Sequence, residues 1–92
     1  MDQLIALVRE YSNSINNGRT VKTIFEALKA ETDELNNEVV TNGTGLDGIE
    51  GEAVDVILCA LNIIFKVNPG MSDDQIVEYA RKKCDKWAKK YS

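Results

Sequence analysis

The sequence contains no histidine, a single proline and only two cysteines in 92 residues. Without histidine, the chain has neither imidazole zinc ligands nor a histidine-based nucleophilic triad. The cysteines, Cys59 and Cys84, are spaced too far apart for a metal-binding motif. We expect both to be buried, reduced thiols. One proline and six glycines leave few breaks in the chain, which favours long helices.

The sequence also lacks a long hydrophobic run. No segment reaches the roughly 20 apolar residues that a membrane-spanning helix needs. The start of the chain lacks the basic segment and apolar stretch of a signal peptide. The net charge of −4 argues against nucleic acid or an anionic membrane as the main partner. We therefore expect a cytoplasmic protein that binds neither nucleic acid nor membrane.

The length and composition predict one small domain covering residues 1–92. A hydrophobic fraction of 43% and a charged fraction of 28% are typical of a globular protein. A chain of this size buries only about 60–65% of its unfolded surface, so its core is small. Oligomerisation is one way in which small domains gain the missing stability. We expect a homodimer or a homotetramer.

Four helices are predicted from apolar residues that recur at helical spacing. The first runs from Asp2 to Ile15, the second from after Thr20 to Val40, the third to Val67, and the fourth begins after Ser72. The loops between them are short. The sequence therefore predicts an all-α, antiparallel four-helix bundle-type protomer that oligomerises.

Capping signals mark the ends of these helices. Asp47 with Glu50 predicts the start of the third helix, and Ser72 with Gln75 forms a capping box for the fourth. Asn68-Pro69-Gly70 ends the third helix. The predicted inner stripe of the fourth helix consists of Ile76, Ala80, Cys84 (or Lys83), Trp87 and Tyr91.

Two acidic pairs stand out: Glu31 with Glu34 on the second helix, and Glu52 with Asp55 on the third. The second pair lies in a segment that is otherwise almost entirely apolar and therefore expected to be buried. No lysine, arginine or histidine occurs between Glu31 and Phe65 to neutralise these acids. Like charges about 4 Å apart repel by roughly 4 kcal/mol at an effective dielectric constant of 20. A bound metal ion is the expected counter-charge.

Helical geometry places each acidic pair on one face of its helix, because residues three apart are neighbours. If the second and third helices form an antiparallel hairpin, the two pairs converge. Carboxylate oxygens are the ligands that Mg²⁺ prefers, and Mn²⁺ is the alternative. Glu31 and Glu34 taken alone are also compatible with an ordinary solvated helix face. The apolar surroundings of Glu52 and Asp55 favour the metal site.

The segments Leu28-Lys-Ala-Glu31-Thr-Asp-Glu34-Leu35 and Glu52-Ala-Val-Asp55-Val-Ile-Leu-Cys-Ala-Leu-Asn62 resemble the MazG-like, all-α nucleoside triphosphate pyrophosphohydrolases. That superfamily carries Glu-Glu-x-x-Glu, a variable gap and then Glu-x-x-Asp. The chain departs from the pattern at Ala30, where the family has its first glutamate, and at Trp87, where an asparagine is common. The resemblance covers the second and third helices well and the rest of the chain loosely.

The resemblance implies that Glu31, Glu34, Glu52 and Asp55 bind Mg²⁺. It also implies that Asn62 contacts the nucleotide or the metal shell and that Lys83 contacts the triphosphate. The expected reaction hydrolyses a nucleoside triphosphate, ribo or deoxy, to the monophosphate and pyrophosphate. A carboxylate that is not fully engaged with the metal, Glu34 or Glu38, is the expected proton acceptor.

Two alternatives stay open. Phosphoribosyl-ATP pyrophosphatase shares the acidic layout and the small size, but its basic, glycine-rich lead-in to the first acidic helix is not evident here. A non-catalytic helical dimerisation module would explain the acids as surface charge or as a structural metal site. The sequence does not indicate the preferred base or sugar.

Overall fold

The computed structural model describes residues 2–43, 45 and 48–91, which contain four helices and no strand. The helices are α1 (Asp2–Ile15), α2 (Val21–Val40), α3 (Gly48–Val67) and α4 (Asp73–Tyr91). The all-α prediction is confirmed, and the predicted helix bounds agree with those observed. No helix within the described residues is long and apolar enough to cross a membrane.

The helix ends follow from local chemistry. The Thr20 hydroxyl accepts a hydrogen bond from the Thr23 N–H at 3.1 Å and caps α2. Ser72 and Gln75 exchange two hydrogen bonds, 2.8 and 3.1 Å long, which confirms the predicted capping box of α4. Gly18 follows α1 with φ +73°, a conformation that glycine adopts without steric cost. The predicted cap at Asp47 lies outside the described residues.

The core lies between α1, α3 and the start of α4. It consists of the buried residues Ile5, Val8, Leu61, Phe65 and Ile76. The most extensive helix pairing joins α2 to α3, whereas α1 packs on α3 and on α4. Among the described residues, the backbones of α1 and α2 do not contact each other. Helix α3 is therefore the central element on which α1 and α2 lie separately.

Arg9 fastens the start of α4 to α1. Its guanidinium donates hydrogen bonds of 2.6 Å to the Asp73 carboxylate and to the Met71 carbonyl oxygen. The same group stacks over the Phe65 ring, 4.4 Å from the ring centroid. One side chain thus joins α1, α3 and the α3–α4 connection.

We expect Arg9→Ala to lower the free energy of unfolding by about 1–2 kcal/mol. Hydrogen bonds to charged groups stabilise by roughly 1.5–3 kcal/mol, and partial exposure of the ion pair reduces that value. Urea denaturation followed by circular dichroism measures the change. Arg81→Ala is the matched control, because Arg81 faces Glu78 at 3.7 Å on the open surface and should contribute less than about 0.5 kcal/mol. Equal losses in the two variants would contradict the anchoring role of Arg9.

The predicted inner stripe of α4 is wrong beyond its first member. Ile76 is buried in the core, but Ala80, Cys84, Trp87 and Tyr91 are exposed, as is the alternative Lys83. The pattern is amphipathic, yet only the beginning of the helix, up to Val77, packs on the core. Cys84 is a free, exposed thiol, which also corrects the expectation that both cysteines are buried.

Candidate metal centre

Three of the four predicted metal ligands lie together between α2 and α3. Glu31, Glu52 and Asp55 each offer one carboxylate oxygen, and these oxygens lie within 4.8 Å of one another. Glu52 and Asp55 are three residues apart, so they share one face of α3. Glu31 meets them from the middle of α2. The three carboxylates therefore come together only because α2 packs on α3.

The cluster is withdrawn from solvent to different degrees. Glu52 is 9% exposed, whereas Glu31 and Asp55 are partly buried. Among the described residues, neither Glu31 nor Asp55 has a lysine or arginine nitrogen within 4 Å. One oxygen of Glu31, Oε2, is buried and accepts no hydrogen bond from any described residue. A buried carboxylate oxygen in this position needs a donor or a cation.

The pKa of Glu31 is raised above its ordinary value. Burial is the largest cause, followed by the negative charges of Glu34 and Asp55. Each of these effects favours the neutral carboxyl group over the charged one. The folded protein therefore binds a proton at Glu31 more tightly than the unfolded chain does. A divalent cation would remove the same repulsion.

Glu31→Gln should stabilise the metal-free protein at neutral pH. Because the pKa of Glu31 is raised by folding, its favourable contribution is complete below about 4.5, the ordinary value for glutamate. That contribution is lost as the pH rises through the raised pKa. The melting temperature of the variant should thus match that of wild type at pH 4 and exceed it at pH 7. Calorimetric scans in EDTA across this range measure the difference.

The control is Asp33→Asn, which removes an exposed charge from the same helix. A difference between Glu31→Gln and wild type that does not change between pH 4 and pH 7 would contradict the repulsion within the cluster. If the cluster binds Mg²⁺, adding this ion at pH 7 stabilises wild type more than the Glu31→Gln variant.

Glu34 and Glu38 occupy different surroundings. Glu34 is exposed and lies close enough to Glu31 to raise its pKa. Glu38 is 7% exposed, and its Oε2 accepts a hydrogen bond from the Gly45 N–H at 3.0 Å. A side chain at position 45 would overlap the Glu38 carboxylate. Glu38 therefore holds the connection that follows α2, and the structure does not bring it into the cluster.

A cavity of about 320 Å³ opens beside the cluster, between α1 and α2, with α3 as its floor. Its lining is largely apolar and includes Tyr11, Arg19, Ile24, Cys59 and Asn62. Burial raises the pKa of the Cys59 thiol, and the charges of Glu31 and Asp55 raise it further. The thiol therefore lies at the boundary between the apolar cavity and the acidic cluster.

Asn62 is the most deeply buried polar group of this cavity. The residue is 6% exposed, and its Oδ1 has no hydrogen-bond partner among the described residues. A buried amide oxygen without a donor costs roughly 1–3 kcal/mol unless a ligand or water satisfies it. The predicted ligand-binding residue thus lies in the cavity next to the predicted metal ligands.

Lys83 is not brought to the cluster. It is exposed on α4 and lines a separate depression together with Ile64, Met71, Ile76 and Tyr79. Tyr11 was missed by sequence reasoning, because on α1 it belongs to an ordinary apolar stripe. Arg19 lies in the turn before α2. The sequence shows that this residue is charged, but it does not predict that Arg19 lies near Cys59.

Comparison of the chain with protein-family models, with curated proteins and with solved structures finds no match. The functional interpretation therefore depends on the geometry of the cluster and of the cavity beside it.

Proposed function

We propose that this protein is a Mg²⁺-dependent nucleoside triphosphate pyrophosphohydrolase of the MazG-like kind, built on an antiparallel helix bundle. The convergence of Glu31, Glu52 and Asp55 within 4.8 Å is the single observation that carries the proposal. Three carboxylates at this spacing repel one another, and a divalent cation would offset that repulsion. Manganese is the alternative ion.

The donor set fits a hard divalent cation. All three groups are oxygen donors, and Glu31 Oε2 is a buried oxygen that accepts no hydrogen bond among the described residues. Mg²⁺ is bound in proteins by carboxylate oxygens together with several waters. Glu31, Glu52 and Asp55 would hold such an ion, since each offers one oxygen within 4.8 Å of the other two. The mixed burial of the site leaves one side accessible to phosphate oxygens.

The cavity supports a substrate that has a flat, weakly polar part next to its anionic part. Tyr11 and Ile24 contribute apolar groups to its lining, and Asn62 contributes a buried acceptor. A nucleoside placed there would direct its phosphates toward the acidic cluster. Sites of this kind are lined mainly by apolar groups with a few polar groups that fix orientation.

The roles of the individual residues follow from where they lie. A Mg²⁺ ion held by Glu31, Glu52 and Asp55 would act as a Lewis acid and would neutralise charge on a triphosphate. Glu34 is exposed beside the cluster, so it is the preferred acceptor for the proton of the attacking water. Glu38 is the weaker candidate because the Gly45 N–H already engages its carboxylate. Asn62 orients the nucleoside.

The deciding experiment is a pyrophosphate-release screen over ribo- and deoxyribonucleoside triphosphates, with and without Mg²⁺. We expect release that requires Mg²⁺ or Mn²⁺ and that is accompanied by the nucleoside monophosphate. Phosphoribosyl-ATP belongs in the same screen, since turnover of that substrate alone would favour the histidine-biosynthesis relative. Absence of turnover, together with a melting temperature that Mg²⁺ does not change, would favour a non-catalytic helical module.

A further inference from the structure

A second cavity lies on the other side of α1 from the cavity beside the acidic cluster. It has a volume of about 430 Å³, and its lining includes Arg9, Ser12, Asn13, Asn16, Phe65 and Lys66. The cavity beside the cluster is lined instead by Leu7, Tyr11 and Ile15 of the same helix. At about 100° per residue, these two sets lie on opposite faces of α1. The two cavities are therefore separate, and we call the second one the α1–α3 cavity.

The charged groups that line the α1–α3 cavity are cations, Arg9 and Lys66. Lys66 is half-buried near the end of α3, and it forms no ion pair with a described residue. Arg9 is paired with Asp73, but the aspartate does not line the cavity. The lining is therefore positive in a chain whose net charge is −4. This local charge favours an anionic ligand.

The hydrogen bonds of Arg9 favour a phosphate group over a carboxylate as the anion. Its Nε and Nη2 atoms donate to Asp73 Oδ1 at 3.2 and 2.6 Å, and Nη2 also donates to the Met71 carbonyl oxygen. Bidentate binding of a carboxylate needs two free neighbouring donors, and each edge of this guanidinium includes an occupied atom. Nη1 makes only a long contact, 3.4 Å, with the Pro69 carbonyl oxygen. Single contacts from Nη1 and from the Lys66 ammonium suit the three terminal oxygens of a phosphate monoester.

A buried amide group also lines the α1–α3 cavity. Asn16 is 9% exposed, and its Oδ1 is buried without a hydrogen-bond partner among the described residues. The backbone of Asn16 is fixed, because its N–H donates to the Ser12 carbonyl oxygen at 2.8 Å and its carbonyl oxygen accepts from the Arg19 N–H at 3.0 Å. A buried amide oxygen destabilises the fold unless a ligand or water donates a hydrogen bond to it. Asn16 therefore favours a ligand that carries an O–H or N–H group in addition to its anion.

We propose that the α1–α3 cavity binds a small organic phosphate whose carbon skeleton carries hydroxyl or amino groups. The phosphate contacts the Lys66 ammonium and Arg9 Nη1, and a hydroxyl or amino group of the ligand donates to Asn16 Oδ1. Ser12 and Asn13 offer further polar contacts in the same lining. The cavity volume is within the range of about 300–1,000 Å³ that is usual for ligand sites. The proposal does not depend on the proposed enzymatic function, because none of these residues belongs to the acidic cluster.

The test uses glycerol 3-phosphate, which combines a phosphate monoester with two hydroxyl groups. Isothermal titration calorimetry of the full chain is carried out in EDTA, so that metal-dependent binding at the acidic cluster does not contribute. We expect saturable binding with a dissociation constant of about 1 mM or lower. Glycerol should not bind. Inorganic phosphate should bind at least about fivefold more weakly than glycerol 3-phosphate, because it lacks the attached hydroxyl groups that would donate to Asn16 Oδ1.

Two variants separate the contact with the phosphate from the contact with the hydroxyl groups. Lys66→Gln should raise the dissociation constant for glycerol 3-phosphate at least about tenfold, because it removes a charge that contacts the phosphate. Asn16→Ala should remove the preference for glycerol 3-phosphate over inorganic phosphate. Lys22→Gln is the matched control, since it removes the same charge from an exposed position on α2 outside the cavity, and its effect should stay within about twofold. Circular dichroism of each variant verifies that its helices are retained.

Nuclear magnetic resonance locates the bound ligand. The side-chain amide signals of Asn16 and the backbone amide signals of Phe65 and Lys66 should shift as glycerol 3-phosphate is added, whereas those of Glu52 and Asp55 should not.

Several outcomes would overturn the proposal. They are the absence of binding at millimolar glycerol 3-phosphate, equal weakening by Lys66→Gln and Lys22→Gln, and shifts confined to the acidic cluster. An Asn16→Ala variant that keeps the wild-type preference over inorganic phosphate would exclude the contact with Oδ1. Binding of citrate as tight as that of glycerol 3-phosphate would contradict the preference for a phosphate group.

Discussion

Asp55→Asn should reduce the proposed Mg²⁺-dependent pyrophosphate release at least about a hundredfold. The substitution preserves the shape of the side chain while removing the charge that, with Glu31 and Glu52, would hold the cation. Metal ions contribute several kcal/mol of charge stabilisation in phosphoryl transfer, and each 1.4 kcal/mol is worth a factor of ten in rate. Glu52→Gln should give a loss of the same order, because both carboxylates lie on the same face of α3.

The control for this prediction is Asp33→Asn, which also removes one acidic charge but from an exposed position on α2. It should retain activity within a few-fold of wild type. Steady-state kinetics at saturating Mg²⁺ separates loss of metal binding from loss of turnover, since weakened binding is partly restored by more metal. Circular dichroism should show unchanged helix content in all three variants. Wild-type turnover in the Asp55→Asn variant would remove the metal assignment.

The second large effect concerns stability. Ile5→Ala should lower the free energy of unfolding by about 2–5 kcal/mol, because Ile5 is 0% exposed and belongs to the core cluster. Deletion of the buried methylene and methyl groups loses hydrophobic transfer energy and leaves a cavity. Small domains have total stabilities of about 5–15 kcal/mol, so this single change removes a large part of the whole.

Val40→Ala is the matched control, since it also shortens a β-branched residue but at a position that is 71% exposed. Its effect should stay within about 0.5 kcal/mol. Urea denaturation of both variants at a fixed protein concentration provides the comparison, because any self-association contributes to the apparent stability. Equal midpoints for Ile5→Ala and wild type would mean that the core lies elsewhere.

Local features of this fold were predictable from the sequence. The bounds of α1, α2 and α4 follow from apolar spacing and from capping residues such as Thr20 and Ser72, whose hydrogen bonds connect neighbours in the chain. The pairing of Glu52 with Asp55 on one face of α3 also follows from helical geometry alone. Interactions of this kind join residues that are close in the sequence and do not depend on contacts with other helices.

Parts of the candidate site were not predictable in the same way. Glu31, Glu34 and Glu38 all lie on one side of α2, yet they end in three environments: the cluster, the solvent beside it and the loop at Gly45. The environment of each glutamate depends on the axial position of α2 relative to α3. Tyr11 entered the site only because α1 and α2 lie apart on α3 and leave a cavity between them.

The sequence by itself determined four helices, their ends and the faces on which acids and apolar residues recur. Only the tertiary structure decided that Glu31 meets Glu52 and Asp55, that Asn62 lies in the neighbouring cavity, and that the aromatic face of α4 is left exposed. The physical reason is that periodicity specifies which side chains share a face. The axial register and the angle between helices, set by long-range packing, specify what each face touches.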